Sequence, residues 1–261
     1  ENYYHYVLET PRFIFSLLRE IAGPVSMSVG FGLENTNVEQ RGDRSILEDE
    51  GFPDDVVDGW TGFVSFTLQW DSRDDVVIAR SGTFHEWSYE TSKNSLLALH
   101  PSFEDIDFRR HTFTDARYKQ LTTRVNLAHR TVFEVLEGSI PLYAYGQIGG
   151  SRRIKGLGGS DSLRGFDRQR FTDDVRFFTN TEFRYHVSSY RFLKQYFEWH
   201  MASFFDTGRV WRDLDRFGLS GLHATAGAGT RLYWNSDFVV RIEFGSSKEQ
   251  RYFGLKYRNV F

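Results

Sequence analysis

Apolar residues in this chain recur at every second position and never gather into a run long enough to cross a membrane as a helix. In the segment 237–245, Phe238, Val240, Ile242 and Phe244 fall on one parity, and Val239, Arg241, Glu243 and Gly245 on the other. Between Leu222 and Trp234, Ala224, Ala226, Ala228, Leu232 and Trp234 alternate with His223, Gly227, Gly229 and Arg231. The last ten residues set Phe253, Leu255, Tyr257 and Phe261 against Gly254, Lys256 and Arg258. A period of two sends successive side chains to opposite faces of a strand, so each segment reads as a strand with one greasy and one wet face. No stretch approaches the roughly 20 apolar residues of a transmembrane helix, and helical periodicity is nowhere sustained.

The same alternation predicts further strands near 2–9, 12–21, 24–37, 60–71, 82–92, 103–114, 119–133, 176–187 and 196–206. The segment 2–9 is the weakest, giving twelve strands with it and eleven without. Links near 22–24, 115–118, 188–195 and 235–237 are short, 72–81 is intermediate, and 38–59, 134–175 and 207–220 are long. Short turns on one side and long loops on the other mark outer-membrane barrels, and an even strand number, which puts both termini on the short-turn side, favours twelve. A soluble sandwich would alternate too. Aromatic residues make up 17% of the chain, and Trp60, Trp70, Trp87, Trp199, Trp211 and Trp234 sit at predicted strand ends, where a membrane barrel carries its aromatic girdles. The mean hydropathy of −0.47 is compatible with this, because outward and inward residues cancel in any window. The expected fold is therefore all-β: an antiparallel transmembrane β-barrel of about 12 strands, a single domain over 1–261, integral to the bacterial outer membrane.

Other classes recede on composition. There is no cysteine, which removes disulfides and thiolate metal sites. The net charge of −3 is interleaved along the chain, so no basic nucleic-acid-binding face is expected. The chain opens at Glu1 on polar and aromatic residues in place of a charged start and apolar core, so that, if it is secreted, its signal peptide is already removed.

The most distinctive stretch, Gly156 to Arg170 (GLGGSDSLRGFDRQR), lies in the longest loop. It is similar to the inward-folded loop of the BamA/TamA-type outer-membrane assembly and translocation superfamily, the bacterial surface antigen barrels. That loop carries a [V/L/I]-R-G-[F/Y] tetrad, here Leu163, Arg164, Gly165 and Phe166. The resemblance continues in order. The turn Trp70 to Asp75 (WDSRDD), with Asp71, Arg73 and Asp74, and the following Ser81-Gly82 resemble the family's D-x-R-D turn. Phe177 to Tyr185 resembles its glutamate-bearing strand, Phe204 to Trp211 its F-x-D-x-G strand end, and Tyr257 and Phe261 its C-terminal assembly signal. These matches span about 60–261. Asn259 departs from an apolar position of that signal, the family's barrels usually have sixteen strands, and no POTRA-like βααββ segment is legible.

The residues support the match on their own chemistry. Glu182 shares parity with Asn180 and Arg184, and Asp206 lies opposite Phe205, so both carboxylates point into the lumen. A guanidinium cannot be neutralised, and burying Arg164 there requires carboxylate partners. The resemblance implies the same triangle, Arg164 with Glu182 and Asp206, pinning the loop inside the barrel. Glycines 156, 158, 159 and 165 permit the tight backbone such a loop needs.

The resemblance implies insertion or translocation of membrane proteins, or lipid handling, through a lateral seam, without covalent catalysis and without a cofactor. Expected partners are membrane lipid, client outer-membrane proteins and periplasmic components. An isologous homodimer is one way to cover a weak N-terminal seam, and Phe178 and Phe204 on the lumen parity are a slim motive for lipid. Two other readings stay open: a structural, lipid-binding or adhesin-like barrel presenting the acidic 41–58 loop, and an outer-membrane hydrolase. For the last, His129, His186, His200 and His223 are available, but no G-x-S-x-G motif surrounds them. No metal site is expected from the spacing of His and carboxylates.

Overall fold

A computed structural model describes residues 6–40, 59–93, 107–140, 142–235 and 237–261. The acidic 41–58 loop, positions 2–5 of the first predicted strand, the start of the 103–114 strand and Ser236 lie outside the described residues. The strands are β1 (Tyr6–Glu9), β2 (Arg12–Ala22), β3 (Val25–Gln40), β4 (Gly59–Asp71), β5 (Gly82–Lys93), β6 (Asp107–Gln120), β7 (Val125–Gly138), β8 (Val175–Phe192), β9 (Gln195–Trp211), β10 (His223–Trp234), β11 (Phe238–Ser246) and β12 (Arg251–Lys256). Each pairs antiparallel with its sequence neighbour from β2 to β12, in one sheet.

Although twelve strands are present, β1 and β2 share one edge of β3: Tyr6–Glu9 pairs with Asn37–Gln40, and Arg12–Ala22 with Val25–Glu34. Pro11 separates them, accepting a hydrogen bond from Asn35 N at 3.0 Å. They form a single stave entering from the long-loop end, and the sheet is eleven staves wide. The parity that favoured twelve, with both termini on the short-turn side, does not hold. Among the described residues no backbone pairing joins β12 to β1 or β2, so the path of strands has two edges.

The two faces follow the alternation. On β7 every even residue from Asn126 to Leu136 is buried, each next to a half-buried odd one. Phe183, Met201, Phe205, Phe244, Phe253 and Leu255 stand exposed on the convex side. β2 is the exception: Ile14 and Leu18, opposite Gly32 and Ser28 on the concave side, are exposed as well as Phe13, Phe15 and Leu17.

Several boundaries differ from expectation, and the β8–β9 link expected at 188–195 narrows to 193–194 because both strands run on. The β6–β7 turn falls at 121–124 rather than 115–118, because charged Asp115 and Arg117 are strand residues. They satisfy each other on the convex face, with Arg117 Nε donating to Asp115 Oδ1 at 2.8 Å, and His85 Nδ1 lies 2.8 Å from Asp115 Oδ2. The C-terminal strand stops at Lys256, and residues 259–261 turn inward. Phe261, expected on the greasy outer face, is buried beside Tyr118 with the Arg130 guanidinium 4.9 Å above its ring.

The 72–81 turn also reaches inward at the short-turn end. Val77 and Ile78 pack against Tyr233 and Val239, and Arg80 Nη2 donates to Glu198 Oε2 at 2.7 Å.

Candidate functional site

The 139–174 loop opens with a single helical turn, α1 (Leu142–Tyr145), and then runs along the concave side of the sheet. Its floor is apolar: Ile148, Ile154, Leu157, Leu163 and Phe166 cluster with Val132 of β7 and Phe178 of β8. Ser162 Oγ ties the glycine segment together, accepting from Gly158 N at 2.9 Å and reaching the Gly156 carbonyl at 3.1 Å. Gly165 has φ +104°, and a Cβ there would meet Thr225 Oγ1 at 2.7 Å. Both the backbone sign and the space demand glycine next to the arginine.

This tight turn delivers Arg164 into a fully buried carboxylate cluster. Its Nε and Nη2 form a bidentate fork on Asp206, at 2.8 Å and 2.7 Å. Nη1 donates to Glu182 Oε1 at 2.8 Å and Glu243 Oε1 at 2.9 Å. The guanidinium lies 3.6 Å from the centroid of the Phe204 ring, so all its edges are hydrogen-bonded and one face is stacked. Arg231 Nη2 adds a bond to Glu182 Oε1 at 2.6 Å, and Arg184 Nε holds the other Glu182 oxygen at 2.9 Å. Asn180 Nδ2 joins Asp206 Oδ1 at 2.8 Å to the Ser162 carbonyl at 2.6 Å. With Arg241 Nη1 3.5 Å from Glu243 Oε2, three carboxylates face four guanidinium groups, so each buried carboxylate has cationic partners.

Arg164, Glu182 and Asp206, singled out in the sequence, meet in one place. Leu163 and Phe166 lie beside them, with Phe166 5.2 Å from Phe171 and 5.7 Å from His223 between ring centroids. Glu243, Arg231 and Arg184 were not assigned to the cluster. Their inward parity was legible, and an excess of inward charge on β10 and β11 was the available signal.

A second cluster, unforeseen, holds the start of the same loop. Glu134 Oε2 accepts from Gly149 N at 2.6 Å and Thr112 Oγ1 at 2.9 Å. Its Oε1 lies 3.0 Å from Arg176 Nη1, off hydrogen-bond alignment, so that contact is coulombic. Glu86 accepts from Ser151 N at 3.0 Å and from the Ser151 hydroxyl. Arg153 pairs with Glu90, which Arg110 Nη1 also reaches at 3.2 Å.

The other predicted residues lie elsewhere. Asp71, Arg73 and Asp74 organise their own turn: Arg73 forks onto Asp71 at 2.9 Å and 2.6 Å, and Asp74 Oδ1 accepts from Arg80 N and Ser81 N at 2.9 Å and 3.1 Å. Burial alone would raise the Asp74 pKa, but these backbone donors outweigh it and hold the carboxyl below its ordinary value. Tyr257 is exposed and stacks 6.0 Å from Phe238. Phe178 is core under the loop and Phe204 is covered by Arg164, so neither is open to a lipid. His129 lies among Thr131 and Thr181 hydroxyls, and His223 stacks on Phe171 at 4.0 Å.

A curled antiparallel sheet, greasy outside and charged inside, with a long loop fastened within by a buried arginine, defines an integral outer-membrane β-barrel. The Omp85 superfamily domain matches residues 1–249, and the chain belongs to the Omp85 superfamily. Among solved structures it is similar to the crystal structure of BamA from Haemophilus ducreyi lacking POTRA domains 1–3, with a TM-score of 0.64. The match covers 97% of this chain and 53% of that one at 12% identity, so the likeness is one of fold and the chain spans about half that structure's length. No curated protein matches the chain.

Proposed function

We propose that this chain forms membrane wall of an insertion or translocation device, working at its strand edges rather than through a central channel. The observation that carries this reading is the strand path itself, which among the described residues ends in two edges, β1/β2 and β12, with no pairing between them. An edge strand displays free N–H and C=O groups, and in a membrane these are costly until another strand pairs with them. A client chain entering as a strand supplies that pairing. The loop lies over the concave face from β5 to β11, through Glu86 at one end and Glu243 at the other, which disfavours free passage of solute on that side.

Because the chain has no cysteine, single-cysteine variants can map client contact. Ser16→Cys on β2 and Lys256→Cys on β12 are reconstituted in liposomes with a small urea-unfolded outer-membrane barrel carrying a photo-crosslinker on its last strand. The expected result is faster client folding than in empty liposomes, with cross-links at positions 16 and 256 well above those of Leu127→Cys on the convex face of β7. Equal labelling at all three positions, or no acceleration, refutes the proposal.

A further inference from the structure

Three potential metal ligands meet on the concave face on the short-turn side of the Arg164 cluster, next to Arg231, the register partner of His200 on β10. His186 of β8 and His200 of β9 are register partners, with ring centroids 5.1 Å apart. Glu198, on the same face of β9, brings Oε2 to 3.0 Å from His200 Nε2. One ligand atom from each of the three lies within 4.8 Å of the others. Glu198 and His200 are buried and His186 is half-buried. A register shift in β8 between His186 and Ser188 puts Ser189 opposite Glu198, with its Oγ 2.7 Å from His186 Nε2. The ring of His200 stands edge-on to Tyr233 at 5.0 Å. Both imidazoles are oriented by neighbours before any ion arrives, as second-layer contacts orient metal-binding histidines.

We propose that His186, Glu198 and His200 bind a transition-metal dication of the zinc class, leaving a fourth position to water. Two imidazoles and one carboxylate are the mixed N/O donors such an ion takes. Two ligand atoms on a tetrahedral zinc lie roughly 3.3 Å apart, given bonds of about 2.0–2.1 Å. The 3.0 Å between His200 Nε2 and Glu198 Oε2 is close to that edge, so a small adjustment and a closing turn of the half-buried His186 complete the set. Arg80 is the built-in competitor, since its Nη2 occupies Glu198 Oε2 at 2.7 Å. Its side chain is 44% exposed and can swing to solvent when a cation takes its place. Ion binding therefore severs the Arg80 tie between the 72–81 turn and β9, while the packing of Val77 and Ile78 remains.

The test is calorimetric titration of Zn2+ into the tag-free full chain in detergent. Saturable binding of one ion is expected. His186→Ala and His200→Ala weaken it at least about tenfold, and Arg80→Ala tightens it by removing the competing guanidinium. A trio acting only as a structural ion pair predicts no such tightening. Absence of saturable Zn2+ binding in the wild type overturns the assignment, as does an unchanged Kd in a His200→Ala protein whose heat-modifiability shows it folded. His129→Ala, on the convex face, should leave the Kd alone, and a loss there as large as that of His200→Ala also refutes the site.

Discussion

The two fastenings of the 139–174 loop differ in the balance of side-chain and backbone donors. At Arg164 the loop contributes the cation, and the wall contributes Asp206, Glu182 and Glu243 from β9, β8 and β11. At the other end the wall holds both signs, Glu134 and Glu90 with Arg110 and Arg176, and the loop contributes chiefly backbone N–H groups from Gly149 and Ser151, with Arg153 beside them. A side-chain anchor is written as a residue type and can be erased by one substitution. A backbone anchor is written only as shape, and is broken by removing its acceptor or by filling the space it needs.

The largest effect is expected from Arg164→Ala, which leaves three buried carboxylates short of a partner. The loss is about 3–5 kcal/mol, read as a lower denaturation midpoint in detergent with faster proteolysis of the loop. Arg164→Lys recovers little, because an ammonium offers neither the fork on Asp206 nor the stack on Phe204. A mutant as protease-resistant as the wild type would show the fastening to be incidental.

Glu134→Ala is next, at about 3 kcal/mol, since it takes a carboxylate partner from Arg176, leaves Arg110 only the Glu90 carboxylate, and leaves Gly149 N unpaired. Limited proteolysis should then cut near 146–152 while the Arg164 end stays protected; cleavage at both ends together would mean the clusters act as one. Gly149→Ala probes the same end sterically, because its Cβ would fall 2.6 Å from Thr112 Oγ1 and 2.7 Å from Arg110 Cδ. Overpacking of this kind costs about 1–3 kcal/mol, and a mutant of wild-type stability would show that those side chains simply step aside.

The smallest effect is outside the loop. Asp74 has a folded pKa below its unfolded value, so its contribution to stability is present above the unfolded pKa and is lost as pH falls through the folded one. Asp74→Asn should lower the denaturation midpoint slightly near neutrality and flatten its pH dependence at acid pH, where the wild type loses the same contribution. An acid limb identical to wild type would remove the turn from the account.

How much was legible depended on whether information sat in single residues or in surroundings. The faces of β10 and β11 follow directly from alternation, as does the inward set of Glu182 and Asp206, whereas Arg164 came from the resemblance of Leu163–Phe166 to a family motif, with the need of a buried guanidinium for carboxylates naming its partners. The β6–β7 turn was misplaced because Asp115 and Arg117 look like turn residues until their mutual pairing and His85 are seen across the strands. Phe261 reads as greasy strand surface, yet β12 ends at Lys256 and the tail packs under Arg130. Tyr6–Glu9 looks like a separate strand, and only its register on β3 shows it to be an extension of β2. The Glu134 fastening rests on main-chain donors, which no residue type announces.

A tether with one attachment has two conditions, held or lost. This loop has two attachments of unlike chemistry, one on β5–β8 and one on β8–β11, which share β8 through Arg176 and Glu182, with the packed segment Ile154 to Leu163 between them. Should one attachment open, the other becomes a pivot, and the intervening segment turns about it as a lever arm. Movement of the wall at β5–β7 could then be felt at β8–β11 through the interior, without passing from strand to strand around the sheet.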